Sequence, residues 1–433
     1  MGARLPTDGP WRLVAAAAFA AASAIAQAQQ AAADADVARG AYLARIGGCA
    51  GCHTAPKGGA PFAGGRVVPS PIGGIFSTNI TPDRQHGIGD YELQDFERAL
   101  RAGTARGGKH LYPAMPYPSY ARMSDADVRA LFAYLRTAVA PVALPAPRNA
   151  LPFPFDQRWI LRWWKVAFVP RGAPALRPDR DAEWQRGAYL VQTVGHCGTC
   201  HTPRGLAYQE LGYDDTSSRY LSGAVNDHWL SSNLRADPGA GLARIDVRDV
   251  ASFLRTGHAA GLVAYGPMAD EVEQSLQHLS ASDAMAMARY LKSLPSQDAQ
   301  GHYAAPAGSD PDAAARGLRT RDVESVGAAV YKGFCAQCHG PDGAGLAPAF
   351  PRLAGNPTLL SDDASSLIRL VLEGGRGPST TDGPAPQAMP PFAGTLTDLQ
   401  IAQVLSFTRT RWGNDARQVS TQDVASLRKR LRK

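Results

Sequence analysis

One pattern limits this chain more than any other. Cys49-Ala-Gly-Cys52-His53, Cys197-Gly-Thr-Cys200-His201 and Cys335-Ala-Gln-Cys338-His339 use all six cysteines of the 433 residues. C-x-x-C-H is the attachment signature of c-type haem. Positions three and four apart on a helical turn share a face, so both thiols reach one macrocycle edge as thioethers. The histidine that follows points at the iron and becomes its proximal ligand.

Other uses of a cysteine pair fit less well. Structural zinc wants a second pair some 15–20 residues away, and these pairs lie about 140 residues apart. A thioredoxin-like pair needs a βαβ setting and no adjacent histidine. Plain disulfides suit an exported chain but leave a histidine after every pair unexplained.

A methionine stands in a Pro-rich stretch well after each pair: Met115 in "YPAMPY", Met268 in "YGPMAD" and Met389 in "QAMPPF". Met115 and Met389 precede prolines, which bias them toward extended backbone, and Pro267 stiffens the approach to Met268, so these read as loops that hold a thioether against iron. His/Met ligation raises the reduction potential and suits electron transfer. His110 competes with Met115, and His258 with Met268, for the sixth position. Met123, Met285 and Met287 read as core fillers. His86, His196, His228, His278 and His302 read as surface or packing residues. A carbonyl that accepts the proximal histidine's other N–H would fix the ring; Pro351 in "PRLAG" is the candidate for the third pair.

The chain repeats itself around these motifs. A glycine-bearing helical run precedes each pair ("DVARGAYLARIGG", "AEWQRGAYLVQTVGH", "ESVGAAVYKGF"), and the first two share "RGAYL". A capped amphipathic helix follows each methionine. Ser124 and Asp127 start the first, whose Val128, Leu131, Phe132 and Leu135 keep one-face spacing. Ser282 starts the second, with Met287, Tyr290, Leu291 and Leu294, and Thr397 the third, with Ile401, Val404 and Leu405. Tyr134, Tyr290 and Phe407 are expected to pack on Gly40, Gly187 and Gly327. The fold class is therefore mainly α, with three tandem class I cytochrome c-like domains of one covalent haem c each. The boundaries are a signal peptide 1–28, domains 34–140, 181–296 and 319–416, linkers 141–180 and 297–318, and a basic tail 417–433.

Arg4 and Arg12 with "LVAAAAFAAASAIA" and "AIA" or "AQA" form a cleavable leader, and no later stretch is long enough to span a bilayer. The formal charge is +7. Losing Arg4 and Arg12 along with Asp8 leaves +6, much of which three pairs of haem propionates would offset. Export and the lack of a nucleic-acid motif argue against a nucleic-acid partner.

"TNITPD…GIGDYELQDFERALRAG…LYPAMPY", "GPMADEVEQSLQHL" and "PRLAGNP…MPPFA…WGN" resemble the three-haem cytochrome c subunits of bacterial membrane-bound alcohol, gluconate and sugar dehydrogenases. The resemblance covers nearly the whole mature chain. It implies a periplasmic electron-transfer subunit at the inner membrane. Electrons would pass from a separate quinoprotein or flavoprotein subunit to ubiquinone or a terminal oxidase. It also implies Cys49, Cys52, His53 and Met115 at haem one, Cys197, Cys200, His201 and Met268 at haem two, and Cys335, Cys338, His339 and Met389 at haem three. A soluble shuttle and a haem peroxidase are the rival readings. No catalytic triad, nucleotide loop or substrate site stands out.

Within the first linker, "QRWILRWWKVAFV" sets Trp159, Ile160, Trp163, Trp164, Ala167 and Phe168 on one helical stripe, with Arg158, Arg162 and Lys165 on another. That suits a helix lying at a membrane interface, or tryptophans packed between domains or against a partner. The tail "RKRLRK" carries five cations in six residues, either solvated or drawn to an anionic leaflet.

Overall fold

The computed structural model describes residues 11–172, 174, 177–297, 301–305 and 325–432. Arg4 of the leader and most of the second linker lie outside them. The first repeat holds α1 (Trp11–Ile46), α2 (Leu93–Ala102) and α3 (Asp125–Thr137), and α4 (Ile160–Phe168) lies in the linker. The second holds α5 (Ala182–Gln192), α6 (Val247–Thr256), α7 (Gly266–Gln274) and α8 (Ala281–Ser293). The third holds α9 (Val326–Phe334), α10 (Ser365–Glu373), α11 (Asp398–Arg409) and α12 (Thr421–Leu431). Strands among the described residues are two or three residues long and pair only in twos. The fold is mainly α.

In each repeat the glycine-bearing helix and the capped helix after the methionine (α1 with α3, α5 with α8, α9 with α11) touch backbone to backbone, and glycine is what allows it. A Cβ added to Gly40 would lie 1.9 Å from the Ala130 carbonyl oxygen, and one on Gly187 1.9 Å from that of Ala286. On Gly327 the distance to the Gln403 oxygen would be 2.4 Å. Each of those carbonyls sits four residues before the aromatic that the sequence singles out (Tyr134, Tyr290, Phe407), so the three crossings share one register. The start signals are hydrogen-bonded caps: Ser124 Oγ accepts from Asp127 N and Thr397 Oγ1 from Gln400 N. The cap of α8 is Ser280, which accepts from Asp283 N, and not Ser282. The S-x-x-D spacing favours Ser280, and such a cap contributes about 1 kcal/mol.

One apolar core runs without a break through the first two repeats, from Leu43 to Leu294, while the third has its own, from Ala328 to Leu427. The shared "RGAYL" explains the join. Arg39 Nε donates to Asp127 of its own repeat at 2.5 Å, and Tyr42 Oη donates to Asp283 of the other at 2.6 Å. Arg186 mirrors this by pairing with Asp283 at 2.8 Å, as does Tyr189, which donates to Asp127 at 2.5 Å. Each aspartate is the third residue of its helix, so it serves the helix start and both repeats at once. The third repeat has "VGAAVYKGF" at this place and stays outside the pair.

Three regions depart from the sequence expectation. In the second linker, which its composition marks as irregular, His302–Tyr303 pairs with Asn414–Asp415. The basic segment 417–433 is not a free tail. Val424 and Leu427 bury α12 in the third core, and Arg428 holds Asp398 at 2.7 Å. The single stripe drawn for α4 is split. Trp164 turns inward, edge-on to Tyr117, with its indole N–H on the Ala207 carbonyl. Lys165, placed by the sequence on the cationic side, also turns inward, to the Gly103 carbonyl, Thr104 and His110. Burial brings its pKa down to about 8. Trp159 and Trp163 remain outside, 63% and 64% exposed, with Val166. Residues 22–36 of α1 are exposed throughout. Among the described residues no helix is long and apolar enough to cross a membrane.

Candidate haem-binding sites

Each C-x-x-C-H stretch forms one short helical turn right after its glycine-bearing helix: Cys49–Cys52, Gly198–His201 and Ala336–His339. The six cysteines are unbridged. Burial pushes the thiols of Cys49 and Cys197 up to about 12 and that of Cys335 to about 11. Such thiols are poor thiolates, the opposite of an exchanging redox pair. Among the described residues no three His, Cys, Asp or Glu side chains gather to hold a bare metal ion.

The histidines share one arrangement. His53 Nδ1 lies 2.6 Å from the Thr78 carbonyl oxygen, His201 Nδ1 2.7 Å from that of Ser232, and His339 Nδ1 2.9 Å from that of Pro351. A carbonyl only accepts, so Nδ1 carries the proton and Nε2 keeps its lone pair for a metal. Burial lowers all three imidazole pKa values, though the carbonyl bond opposes it, so the rings are held neutral. Pro351 is the acceptor the sequence suggests. Thr78 and Ser232 escape that reading, but a signal was present. They open "TNITPD" and "SNLRAD", and the asparagine that follows each ties its loop by side-chain hydrogen bonds.

The methionines are half-buried and pack on the same cores as the cysteines. Met115 lies in a loop between Tyr112 and the short helix Tyr117–Tyr120. Met389 is in a two-residue strand paired with Gly375. Met268, expected in a loop, stands in the first turn of α7. Pro267 beside it costs nothing there, because the first N–H groups of a helix have no partner to lose. Met123 and Met287 are buried core residues. Of the competing histidines, His110 is held by Lys165. His258, 7% exposed, bonds the Thr256 carbonyl through Nδ1, while its Nε2 has no hydrogen-bond partner among the described residues and faces Gly377 of the third repeat.

In the third repeat the whole set meets in one cleft. Cys335, Cys338, His339 and Met389 line it with Phe334, Phe350, Leu370 and Phe392. Both thiols, a neutral imidazole and a thioether around an apolar slot match an attached porphyrin with His/Met iron, so the residues present fit the group. One wall comes from the second repeat: Val263, Ala264 and Tyr265, just ahead of Met268.

Comparison with known proteins gives the same direction. The cytochrome c family model matches residues 37–138 and 325–412. The gluconate 2-dehydrogenase cytochrome c subunit of Pantoea cypripedii is 47% identical, over 92% of this chain and 90% of its own. The quinone alcohol dehydrogenase cytochrome c subunit of Gluconobacter oxydans is 43% identical over 96% and 87%. The fructose dehydrogenase cytochrome subunit of Gluconobacter japonicus is 38% identical over 90% and 82%.

Proposed function

Since the chain belongs to the family of cytochrome c subunits found in gluconate, alcohol and fructose dehydrogenases, we propose that it is the three-haem electron-transfer subunit of such a complex. Covalently bound haem c would supply one-electron chemistry here. The chain's own residues do the rest. Cys49 and Cys52, Cys197 and Cys200, and Cys335 and Cys338 tether. His53, His201 and His339 would hold the iron through Nε2 while Thr78, Ser232 and Pro351 hold their rings. Met115, Met268 and Met389 would hold it through sulfur.

The observation that carries this reading is the third-repeat cleft, where thiols, imidazole and thioether face one apolar slot. The partner is a separate quinoprotein or flavoprotein subunit that oxidises a CH–OH donor. The acceptor is ubiquinone or a terminal oxidase. The complex works at the periplasmic face of the inner membrane after the leader is removed, and the outward face of α4 supplies the peripheral contact.

Intact mass and haemochrome absorbance of the exported protein test this together. Three porphyrin additions per chain are expected. Fewer would overturn the three-haem count, and none would end the reading.

A further inference from the structure

Helix α7 touches all three candidate sites. Met268 stands in its first turn. At its far end Ser275 Oγ donates to the Ile46 carbonyl, just before the first motif, at 2.7 Å. On another side Glu273 pairs with Arg376 of the third repeat at 3.0 Å. Between these ends, a Cβ added to Gly48 would lie 3.6 Å from Glu271 Oε1, and one on Gly51 would lie 2.7 Å from Gln274 Oε1. The middle of α7 therefore rides along the first C-x-x-C-H turn while its start belongs to the second.

Glu271 is the unusual residue on this helix. It is half-buried, and its carboxylate has no hydrogen-bond or ion-pair partner among the described residues. Charges so placed normally find a partner. Glu271 stands three residues after Met268, on the same face of α7, and its carboxylate lies against Gly48, the residue before Cys49. The first and second motifs adjoin here, because a Cβ added to Gly47 would lie 3.1 Å from Val194, three residues ahead of Cys197.

A fixed negative charge favours the more positive, ferric state of an iron beside it and so lowers its reduction potential. We propose that Glu271 is a tuning residue shared by the first and second sites, a single carboxylate set between them by α7 that holds both potentials down and leaves the third untouched. The two potentials then move together, which keeps electron exchange within the pair close to balanced. This rests on the haem reading above, and the haem count of the wild-type protein decides that separately.

The test is a spectroelectrochemical titration of the full-length holoprotein. Met389→His marks the third haem by dropping its potential away from the others. In that background Glu271→Gln should raise two potentials, each by about tenfold in the reduced-to-oxidised ratio, or about 59 mV for a one-electron couple, while the marked one stays put. Glu271→Asp, which keeps the charge, should restore most of the shift. Glu273→Gln, one turn face away, should leave the first two potentials where they were. No shift in Glu271→Gln, a shift in one potential only, or an equal shift in Glu273→Gln would each overturn the proposal. If Glu271→Gln assembled with fewer haems than wild type, the Asp variant would decide. Wild-type potentials in it support the charge role, and altered ones refute it.

Discussion

The crossed tyrosines offer the sharpest test of how the first two repeats are joined. Tyr42 Oη reaches Asp283 at 2.6 Å and Tyr189 Oη reaches Asp127 at 2.5 Å, each across the boundary between repeats. Tyr42→Phe and Tyr189→Phe remove only the donors and keep the rings packed. A hydrogen bond to a charged acceptor is worth about 1.5–3 kcal/mol; both phenols are half-buried, so the lower end applies. Each aspartate keeps its arginine, Arg186 or Arg39, which prevents the larger loss of an orphaned buried charge. A loss of about 1.5 kcal/mol is about tenfold in the opening equilibrium. Hydrogen exchange of the α3 and α8 peptides in the holoprotein reads that factor directly. Because one core serves both repeats, either substitution should speed exchange about tenfold in both helices, and the pair about a hundredfold. If Tyr42→Phe accelerated only α8, or neither helix by more than about threefold, the continuous core would not be a cooperative unit and the reasoning would fail.

Three further outcomes follow from particular contacts. Gly40→Ala and Gly327→Ala, which push a methyl into a facing carbonyl, should each destabilise their own repeat by about 2 kcal/mol or more through overpacking, read as a lowered denaturant midpoint; an unchanged midpoint would mean the helices can separate at no cost. Trp159→Ala with Trp163→Ala should weaken binding to anionic vesicles severalfold in a sedimentation assay without altering haem content, and equal binding would place the membrane contact elsewhere. At Asp283 burial pulls the carboxyl upward, but Arg186 and Tyr42 more than offset it and hold it below the usual value. A depressed carboxyl contributes stability that is present above about pH 4 and lost as pH falls through its folded value. Asp283→Asn should therefore flatten the acid limb of the pair's stability curve, and an unaltered slope would refute the assignment.

What could be read from the sequence was whatever is local. C-x-x-C-H places thiols and imidazole on one turn, Ser124 with Asp127 and Thr397 mark helix starts, and Pro351 follows its motif closely enough to be named. The glycine–aromatic crossing was legible too, because it recurs at matched spacing three times. Contacts that depend on how repeats dock were not legible. Asp283 lies 241 residues from Tyr42, and only the restriction of "RGAYL" to two repeats hinted at their joint use. Met268 was misplaced because Pro was read as a loop former, when in a first helical turn it is equally at ease. The wall that Val263–Tyr265 lend to the third cleft carries no local signature at all. The basic end of the chain hid an amphipathic helix, because its cations outnumber Val424 and Leu427.

The third repeat is held to the second in another way. Its contacts are mostly polar: Arg255 with Asp382, Arg376 with Glu273, Arg244 with the Gly355 carbonyl, and the Leu230 amide with Ser366. Its apolar core is its own. A shared core makes two units unfold together, whereas exposed ion pairs contribute only about 0–1 kcal/mol each and are screened by salt. Calorimetry of the holoprotein should thus resolve two transitions, the larger belonging to the joined pair. Raising salt should weaken the docking of the third repeat while leaving the pair's own transition nearly unmoved. The same contrast bears on electron flow. Sites one and two are locked by half-buried hydrogen bonds and a common core, and site three is reached through a wall that one polar interface holds in place. Charge-reversing Arg376 to Glu should separate that wall from the third cleft and slow electron exchange with the third haem only, in a flash-reduction experiment. A single calorimetric transition at all salt concentrations, or slowing at every haem, would mean that the three repeats form one rigid unit after all.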